Sequence, residues 1–174
     1  MTYHRKEPDP QVLEQYPHLV PWPVKPKLST SALAAANLRI ELKRAFPGIK
    51  FSVRTELGSM TSSIRAQAYV FQADGHTQES ARQLDNRGSA LGQQFVYGKF
   101  DGSTDSYDYH NDSDLRAFQD AFGSVRYAFV DIRLAPENVE AEEMARRAQA
   151  RKKKLEKKLP KGWQTRGMTS GQKL

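Results

Sequence analysis

The chain has 174 residues, no cysteine and a formal net charge of +7, and 38% of its residues are hydrophobic, which suffices for one ordinary folded domain. The lack of cysteine excludes disulfides, cysteine-ligated zinc and thiol catalysis. No apolar run approaches the roughly 20 residues that span a bilayer, and the first residues lack the apolar core of a signal peptide. We therefore expect a cytoplasmic protein without a membrane partner.

The excess of positive charge lies near one end of the chain. Residues 1–134 contain 16 basic and 15 acidic side chains, whereas residues 135–174 contain 11 basic and 5 acidic ones. From Met144 onward the basic side chains outnumber the acidic ones by 11 to 1. This distribution predicts a nearly neutral folded region followed by a basic segment that favours anionic partners.

Residues 1–27 contain six prolines, a density that disfavours helix and strand and predicts an extended arm. Apolar side chains such as Tyr16, Leu19 and Trp22 distinguish this arm from a simple linker. We expect the arm to lie over the surface of the folded domain. The alternative is a peptide that docks into the groove of a partner.

The most regular pattern in the chain predicts a helix that ends at a proline and a glycine. Serine and threonine at positions 29–31 can cap its first turn. Leu38, Leu42 and Phe46 recur every four residues, which places them on one helical face. Pro47-Gly48 cannot continue a helix and predicts its end.

A strand is predicted after that turn, because apolar and polar residues alternate from residue 49 to residue 54. Lys50 and Arg54 lie on the outward side of this strand, and we regard them as weak candidates for contact with a partner. Residues 63–72 alternate in the same way and predict a second strand that pairs with the first as a hairpin.

The next elements follow in the order helix, strand pair, helix and strand. Thr77 can cap a helix that runs to Leu91. Residues 95–109 are aromatic and rich in turn-forming residues, which favours strand–turn–strand. Residues 111–122 predict a short helix, and residues 125–134 alternate as a further strand.

The predicted fold class is α+β: a small, mainly antiparallel sheet packed with two or three helices, plus a long basic C-terminal helix. The core domain covers residues 28–134 and the basic helix residues 135–160, where glutamates near its start and a proline at its end suit a helix. Residues 161–174 are polar and contain glycine, which predicts a disordered tail.

Five aspartates lie within fourteen residues that contain no Lys or Arg, and they are Asp101, Asp105, Asp108, Asp112 and Asp114. Carboxylates can hold Mg²⁺ or Ca²⁺, but the spacing lacks the terminal glutamate of a calcium-binding hand. Aspartate is also common in turns. We expect a structural or solvated loop without metal; the alternatives are a metal site and a protein-contact surface formed by Asp101, Asp105 and Asp108.

The sequence contains no signature of an enzyme. No glycine loop has the spacing that cradles phosphate, and the four histidines lack the neighbours of a catalytic relay. His110, beside Asp108 and Asp112, is the one histidine worth testing, and we expect an exposed polar role for it. We expect neither enzymatic activity nor a cofactor.

The basic helix is the stronger candidate for a binding site. Over thirteen residues its cations form a positive rod about 20 Å long, which matches several phosphates along a nucleic-acid backbone. The candidate residues are Arg146, Arg147, Arg151, Lys152, Lys153, Lys154, Lys157 and Lys158, with Lys161 just beyond them. The alternatives are a solvated helix and contact with an anionic protein or membrane surface.

Four segments resemble those of a known family: NLRIELKRAFPGIKFSVR, SSIRAQAYV, FDGSTDSYDY and VRYAFVDI, all within residues 35–132. The matching residues are Phe46, Pro47, Phe51, Ser52, Val53 and Arg54, and then Phe100, Asp101, Gly102 and Asp105. The family that they resemble is the twenty-ninth of the large-polyvalent-protein-associated domains of phages and plasmids. The chain departs from the family at Phe71–Thr77, where relatives commonly have a tryptophan and a Gly-Pro-Thr turn, so a ligand surface shared through that turn is not expected.

The resemblance implies a protein of a mobile genetic element, deployed against host defences or delivered with DNA, and it implies no reaction. Combined with the basic helix, it leads to the hypothesis of a non-enzymatic accessory protein that binds DNA or RNA without sequence preference. The alternative is an inhibitor that binds a host defence complex, such as a CRISPR effector, through the aspartate segment or the N-terminal arm. A third possibility is a metal-dependent enzyme at the aspartates.

Overall fold

A computed structural model describes residues 7–57, 62–103, 106–109 and 112–158, and it confirms the predicted α+β class. The sequence-predicted tail, residues 161–174, lies outside the described residues. In chain order the helices and strands are α1 (Pro10–Gln15), α2 (Thr30–Ala45), β1 (Ser52–Leu57), β2 (Ser62–Val70), α3 (Gln78–Gln93), β3 (Gly98–Asp101), β4 (Ser106–Tyr109), α4 (Ser113–Phe122), β5 (Tyr127–Leu134) and α5 (Glu137–Lys158).

The main sheet has three strands in the order β1-β2-β5. β1 and β2 pair antiparallel, with Arg54 opposite Arg65, which confirms the predicted hairpin. β2 and β5 pair in parallel, from Ser63 opposite Tyr127 to Val70 opposite Leu134. The parallel pair arises because the chain passes through α3, the hairpin β3–β4 and α4 before it returns to the sheet. β3 and β4 form a separate antiparallel pair, so antiparallel pairing predominates among the described strands.

One face of the main sheet is buried and the other is open. Ile64, Ala66, Ala68 and Val70 of β2 are buried, as are Ala128, Val130 and Ile132 of β5. α2 packs against β1 and β2 on this face, and α3 packs against β5. The residues between these apolar positions point to the opposite side, as the alternation in the sequence predicted.

Helix α2 forms and ends as its sequence predicts. The Ser29 hydroxyl accepts a hydrogen bond from the Ala32 amide at 3.2 Å and caps the first turn. Leu38, Leu42 and Phe46 are buried on one face. Gly48 then takes a φ of +94°, a conformation that glycine adopts without strain. The strand begins at Ser52, three residues later than the alternation alone indicated.

Two glycines bring α3 close to β5. A Cβ atom on Gly88 would lie 2.7 Å from Val130 Cγ1, and one on Gly92 would lie 3.1 Å from Val130 Cγ2. The same helix satisfies backbone groups of β5, because Asp85 accepts from the Ile132 amide at 2.7 Å and Ser89 donates to the Val130 carbonyl at 3.3 Å. α3 therefore protects part of an edge strand whose backbone groups would otherwise need water or another strand.

The N-terminal arm contains a short helix, α1, which the proline density was expected to disfavour. Pro10 occupies the first helical turn, where a missing N–H costs nothing, and Asp9 accepts from the Gln11 amide at 2.9 Å as the N-cap. The prediction was wrong because it counted prolines without their positions. The arm does lie on the domain: Leu19 is buried, and the Tyr16 ring contacts that of Phe118 at 4.9 Å.

A buried amide joins the arm, α2 and the end of α4. Asn37 has no exposed surface, and its Oδ1 accepts from the Val20 amide at 2.8 Å. Its Nδ2 donates to the carbonyls of Val20 and Phe122, each at 2.9 Å. Gly123, next in the chain after α4, has a φ of +90°, and a Cβ there would lie 2.4 Å from the Thr30 carbonyl. The end of α4 thus approaches the start of α2 more closely than a side chain permits.

The second unit of the chain begins after Leu134 and contains α5. This helix runs from Glu137 to Lys158, which confirms a predicted helix that starts at Pro136 and ends near Leu159. The Glu140 amide donates to the Pro136 carbonyl at 2.9 Å, so the backbone hydrogen bonds of the helix begin at the proline.

We predict that Asn37→Ala lowers the free energy of unfolding by about 3 kcal/mol, because it leaves the partly buried amide and carbonyl of Val20 and the buried carbonyl of Phe122 without their partner. Urea unfolding followed by circular dichroism measures the change. Asn86→Ala, at an exposed position of α3, is the matched control and should change stability by less than about 0.5 kcal/mol. Equal effects of the two substitutions would contradict the structural role of Asn37.

Candidate nucleic-acid interface

The basic side chains of α5 that the structure describes are exposed or partly exposed. Arg146 and Arg151–Lys154 are exposed, and Arg147 is partly exposed. Arg147, Arg151 and Lys154 recur at intervals of four and three, which places them on one helical face. Lys157 and Lys158 follow in the last turn of the helix, and Lys161 lies outside the described residues.

The charge of this segment is unevenly neutralised. Glu143 forms ion pairs with Arg146 and, at 3.4 Å, with Arg147. Among the side chains that the structure describes, those of Arg151 to Lys154 form no ion pair. Among the cations of α5 whose side chains the structure describes, these four consecutive residues are therefore the most available to an anion.

The weaker candidates lie in two different sheets. Lys50 and Arg54 are exposed, and Arg54 lies on the open face of the main sheet. Asp101 and Asp108 belong to the hairpin β3–β4. Asp105, which the sequence grouped with these residues, is not among the described ones, and neither is His110. Lys50 and Arg54 therefore do not share a sheet with the described Asp101 and Asp108.

Two of the described aspartates of the acidic segment, Asp101 and Asp112, accept hydrogen bonds from backbone amides. Asp101 Oδ1 accepts from the Ser103 amide at 2.9 Å and from its hydroxyl at 2.7 Å, as in an aspartate turn. Asp112 caps α4 by accepting from the amides of Asp114 and Leu115. Within the described part of the chain, no three His, Asp or Glu side chains lie close enough together to hold a metal ion.

Five aromatic rings form a continuous row that we call the aromatic strip; they are Tyr97, Tyr107, Tyr109, Tyr127 and Phe129. Tyr97 stacks on Tyr109 with 5.7 Å between ring centroids, and Tyr107 contacts both. Tyr107 also contacts Tyr127 at 6.3 Å, and Tyr127 stacks on Phe129 at 6.2 Å. The row extends from the hairpin β3–β4 to the open face of β5.

Arginines lie over the rings of the aromatic strip. The guanidinium carbon of Arg126 is 4.6 Å from the Tyr107 centroid, and that of Arg65 is 5.5 Å from the Phe129 centroid. Both distances fall within the range of a cation–π interaction. Arg65, Arg126 and Phe129 line a groove of about 650 Å³ together with Lys99 of β3 and residues of β5 and the last turns of α3.

Tyr107 holds the hairpin beside the main sheet. Its hydroxyl shares one proton between the carbonyls of Gly98, at 2.6 Å, and Arg126, at 2.8 Å. Gly98 leaves room for this ring, because a Cβ there would lie 2.4 Å from Tyr107 Cε1. Burial, followed by repulsion from the neighbouring tyrosines, raises the pKa of Tyr107 to about 12, and burial also raises the pKa of Tyr97.

Reasoning from the sequence did not identify the aromatic strip as a site. A signal was present in the alternation of residues 125–134, which places Tyr127 and Phe129 on the side opposite the apolar Ala128 and Val130. Large aromatic side chains on the open side of a strand are a reason to suspect a contact surface. The contribution of β3–β4 could not be inferred, because it depends on a side-chain contact between separate sheets.

The fold and these surfaces define a small α+β domain with an open aromatic face, followed by a basic helix. The family model described as large polyvalent protein associated domain 29 matches residues 29–135, which is more than half of the chain. The chain therefore belongs to that family, as the sequence segments indicated. A comparison with curated proteins gives no match, and a comparison with solved structures gives none either.

Length and hydropathy together rule out a bilayer-spanning helix among the helices that the structure describes. The longest of them, α5, is rich in charged residues.

We predict that Tyr107→Phe reduces the loss of stability at alkaline pH. Folding raises the pKa of Tyr107 from 10 to about 12, so the protonated phenol contributes to the stability of the folded state. This contribution to the free energy of unfolding is complete below pH 10 and is lost as the pH rises toward 12. The midpoint of urea unfolding, measured from pH 9 to pH 12, should fall more steeply in the wild type than in the variant. Identical slopes for the wild type and the variant would contradict this assignment.

Proposed function

We propose that this protein is a non-enzymatic accessory protein of a phage or plasmid that binds nucleic acid through α5. The observation that carries the proposal is the exposed run Arg151–Lys154, for which no ion pair is found with any acidic side chain that the structure describes. On one face of α5, Arg147, Arg151 and Lys154 span about 10 Å of helix axis, a length that a few successive phosphates of a nucleic-acid backbone also cover. The family membership supports the association with mobile elements.

The chemistry of α5 favours backbone contact over base recognition. Lysine and arginine neutralise phosphates and release counterions, which gives affinity that is independent of sequence and depends strongly on salt. Gln149 is the one amide side chain among positions 140–154, so α5 lacks the array of Asn and Gln residues that reads base edges. DNA and RNA are therefore both ligands of this surface.

We predict that replacing Lys152, Lys153 and Lys154 with alanine weakens binding to a 20-base-pair DNA duplex at least tenfold in low salt. The dependence of log K on log salt should become shallower by about 2 to 3, because three phosphate contacts are lost. Fluorescence anisotropy at several salt concentrations measures both quantities.

The matched control replaces Lys25, Lys27 and Lys43, which are exposed and lie in the other unit of the chain, with alanine. It removes the same charge and should leave the affinity within about twofold of the wild type. If the control weakens binding as much as the α5 variant, the interaction reflects net charge alone, and the proposed role of α5 is wrong.

A second candidate function is the inhibition of a host defence complex by direct contact. The observation that favours it is the position of β1 at one edge of the main sheet, with Arg54 exposed on it and Lys50 exposed just before it. An edge strand can pair with a strand of another protein.

Affinity capture of the tagged full chain from plasmid-bearing cells, with and without nuclease treatment, distinguishes the two functions. For nucleic-acid binding, we expect the captured proteins to disappear after nuclease treatment and in the Lys152, Lys153 and Lys154 variant. For inhibition by direct contact, a partner should survive nuclease and should be lost when Lys50 and Arg54 are both replaced with glutamate. Capture that is insensitive to all of these changes contradicts both functions.

A further inference from the structure

We infer that the aromatic strip is a second binding site, separate from α5, and that it takes single-stranded nucleic acid by stacking unpaired bases on Phe129 and Tyr109. The inference goes beyond the proposed function, because it concerns a different surface and a particular form of the ligand. It depends on ring geometry and charge within residues 62–134, and not on the basic helix.

The first argument is the exposure of large aromatic rings at both ends of the row. Phe129 is 48% exposed and Tyr109 is 62% exposed. On the other face of β5 the helix α3 covers small and aliphatic residues, so the apolar core does not require Phe129. Exposed aromatic side chains of this size on an otherwise polar sheet face are typical of a contact surface.

The second argument is the chemistry of the groove beside the rings. Arg65, Lys99 and Arg126 line it together with Tyr127 and Phe129. Base-stacking rings next to cations that meet the phosphates are the combination that proteins use to bind single strands.

The charges that line the groove favour an anion. Its cations are Arg65, Lys99, Arg126 and Arg133 and its acid is Asp131, which leaves an excess of three positive charges. Arg65 lies 3.6 Å from Glu56, but both side chains are about half exposed, so this pair is weak and a phosphate can compete for the arginine. Arg133 is held by Asp131 at 2.7 Å and is a poorer candidate.

The third argument is rigidity. Tyr107 is fixed by hydrogen bonds to two carbonyls, and its ring lies between those of the hairpin and those of β5. Because the rings are already positioned in the free protein, little conformational entropy is lost when a ligand stacks on them.

A single strand fits these features better than a duplex. Bases in a duplex already stack on one another, and their faces are not accessible to Phe129 or Tyr109, whereas unpaired bases can leave the stack and lie on a side-chain ring. Stacking tolerates any base, because every base has a π face, so we expect little sequence preference.

The test uses the full chain with Lys152, Lys153 and Lys154 replaced by alanine, so that the contribution of α5 is reduced. Binding of fluorescein-labelled 12-nucleotide dT and of a 12-base-pair duplex is measured by anisotropy. We expect this protein to bind the single strand more tightly than the duplex. Phe129→Leu should weaken single-strand binding about tenfold, since stacking on one base is lost while the side chain stays apolar.

Phe129→Tyr is the conservative variant and should retain single-strand binding, because it keeps the aromatic face. Tyr109→Leu should weaken binding to a similar degree, and its exposed position leaves the fold unchanged, which urea unfolding verifies. Equal affinities of Phe129→Leu and Phe129→Tyr, or a preference for the duplex, would overturn the inference. Neither outcome bears on the proposed role of α5. That role is tested separately, by comparing duplex binding of the wild type with that of the Lys152, Lys153 and Lys154 variant.

Discussion

The amide of Asn37 connects three segments that are far apart in the sequence, and the packing of the domain depends on that connection. Asn37 belongs to α2. Its amide forms hydrogen bonds with the backbone of Val20 in the arm and with the carbonyl of Phe122 at the end of α4. A buried amide without partners is costly, so the three segments are stable together in one arrangement. α4 in turn carries Phe118, which packs against Phe95 just before the hairpin β3–β4. A polar contact in the core therefore helps to determine where the surface hairpin lies.

The division of the main sheet into two faces explains why a contact surface can exist in so small a domain. α2 and α3 cover one face, and Gly88 and Gly92 let α3 approach β5 without a side chain between them. The other face is therefore not needed for the core, and its residues can be chosen for binding. Arg65 and Phe129 lie opposite each other there, on neighbouring strands, which brings a cation and a ring together by register alone.

Much of this fold could be predicted from the sequence, because its elements follow local rules. The spacing of Leu38, Leu42 and Phe46 predicted α2. The alternation of apolar and polar residues predicted β2 and β5 and the side of each strand that is buried. The parallel pairing of β2 with β5 and the contacts of Asn37 could not be predicted, because both depend on which distant segments meet. For the candidate site, the basic run of α5 could be predicted from the composition of the sequence alone. The aromatic strip was not, because Tyr107 and Tyr127 come together only through the tertiary fold.

The parallel pairing also affects the order in which the domain can fold. Ser63 pairs with Tyr127, 64 positions later in the chain, whereas β1 and β2 are adjacent in sequence. Closing a loop of that length costs entropy before any contact compensates for it, so the pairing of β5 belongs to the slow part of folding. Until β5 docks, the apolar side of the β1–β2 hairpin is incomplete, and the rings of β5 and of the hairpin β3–β4 are not yet neighbours. The continuous aromatic row is therefore a property of the finished domain, because the one ring contact that joins the group of the hairpin to the group of β5, Tyr107 with Tyr127, forms only when β5 docks.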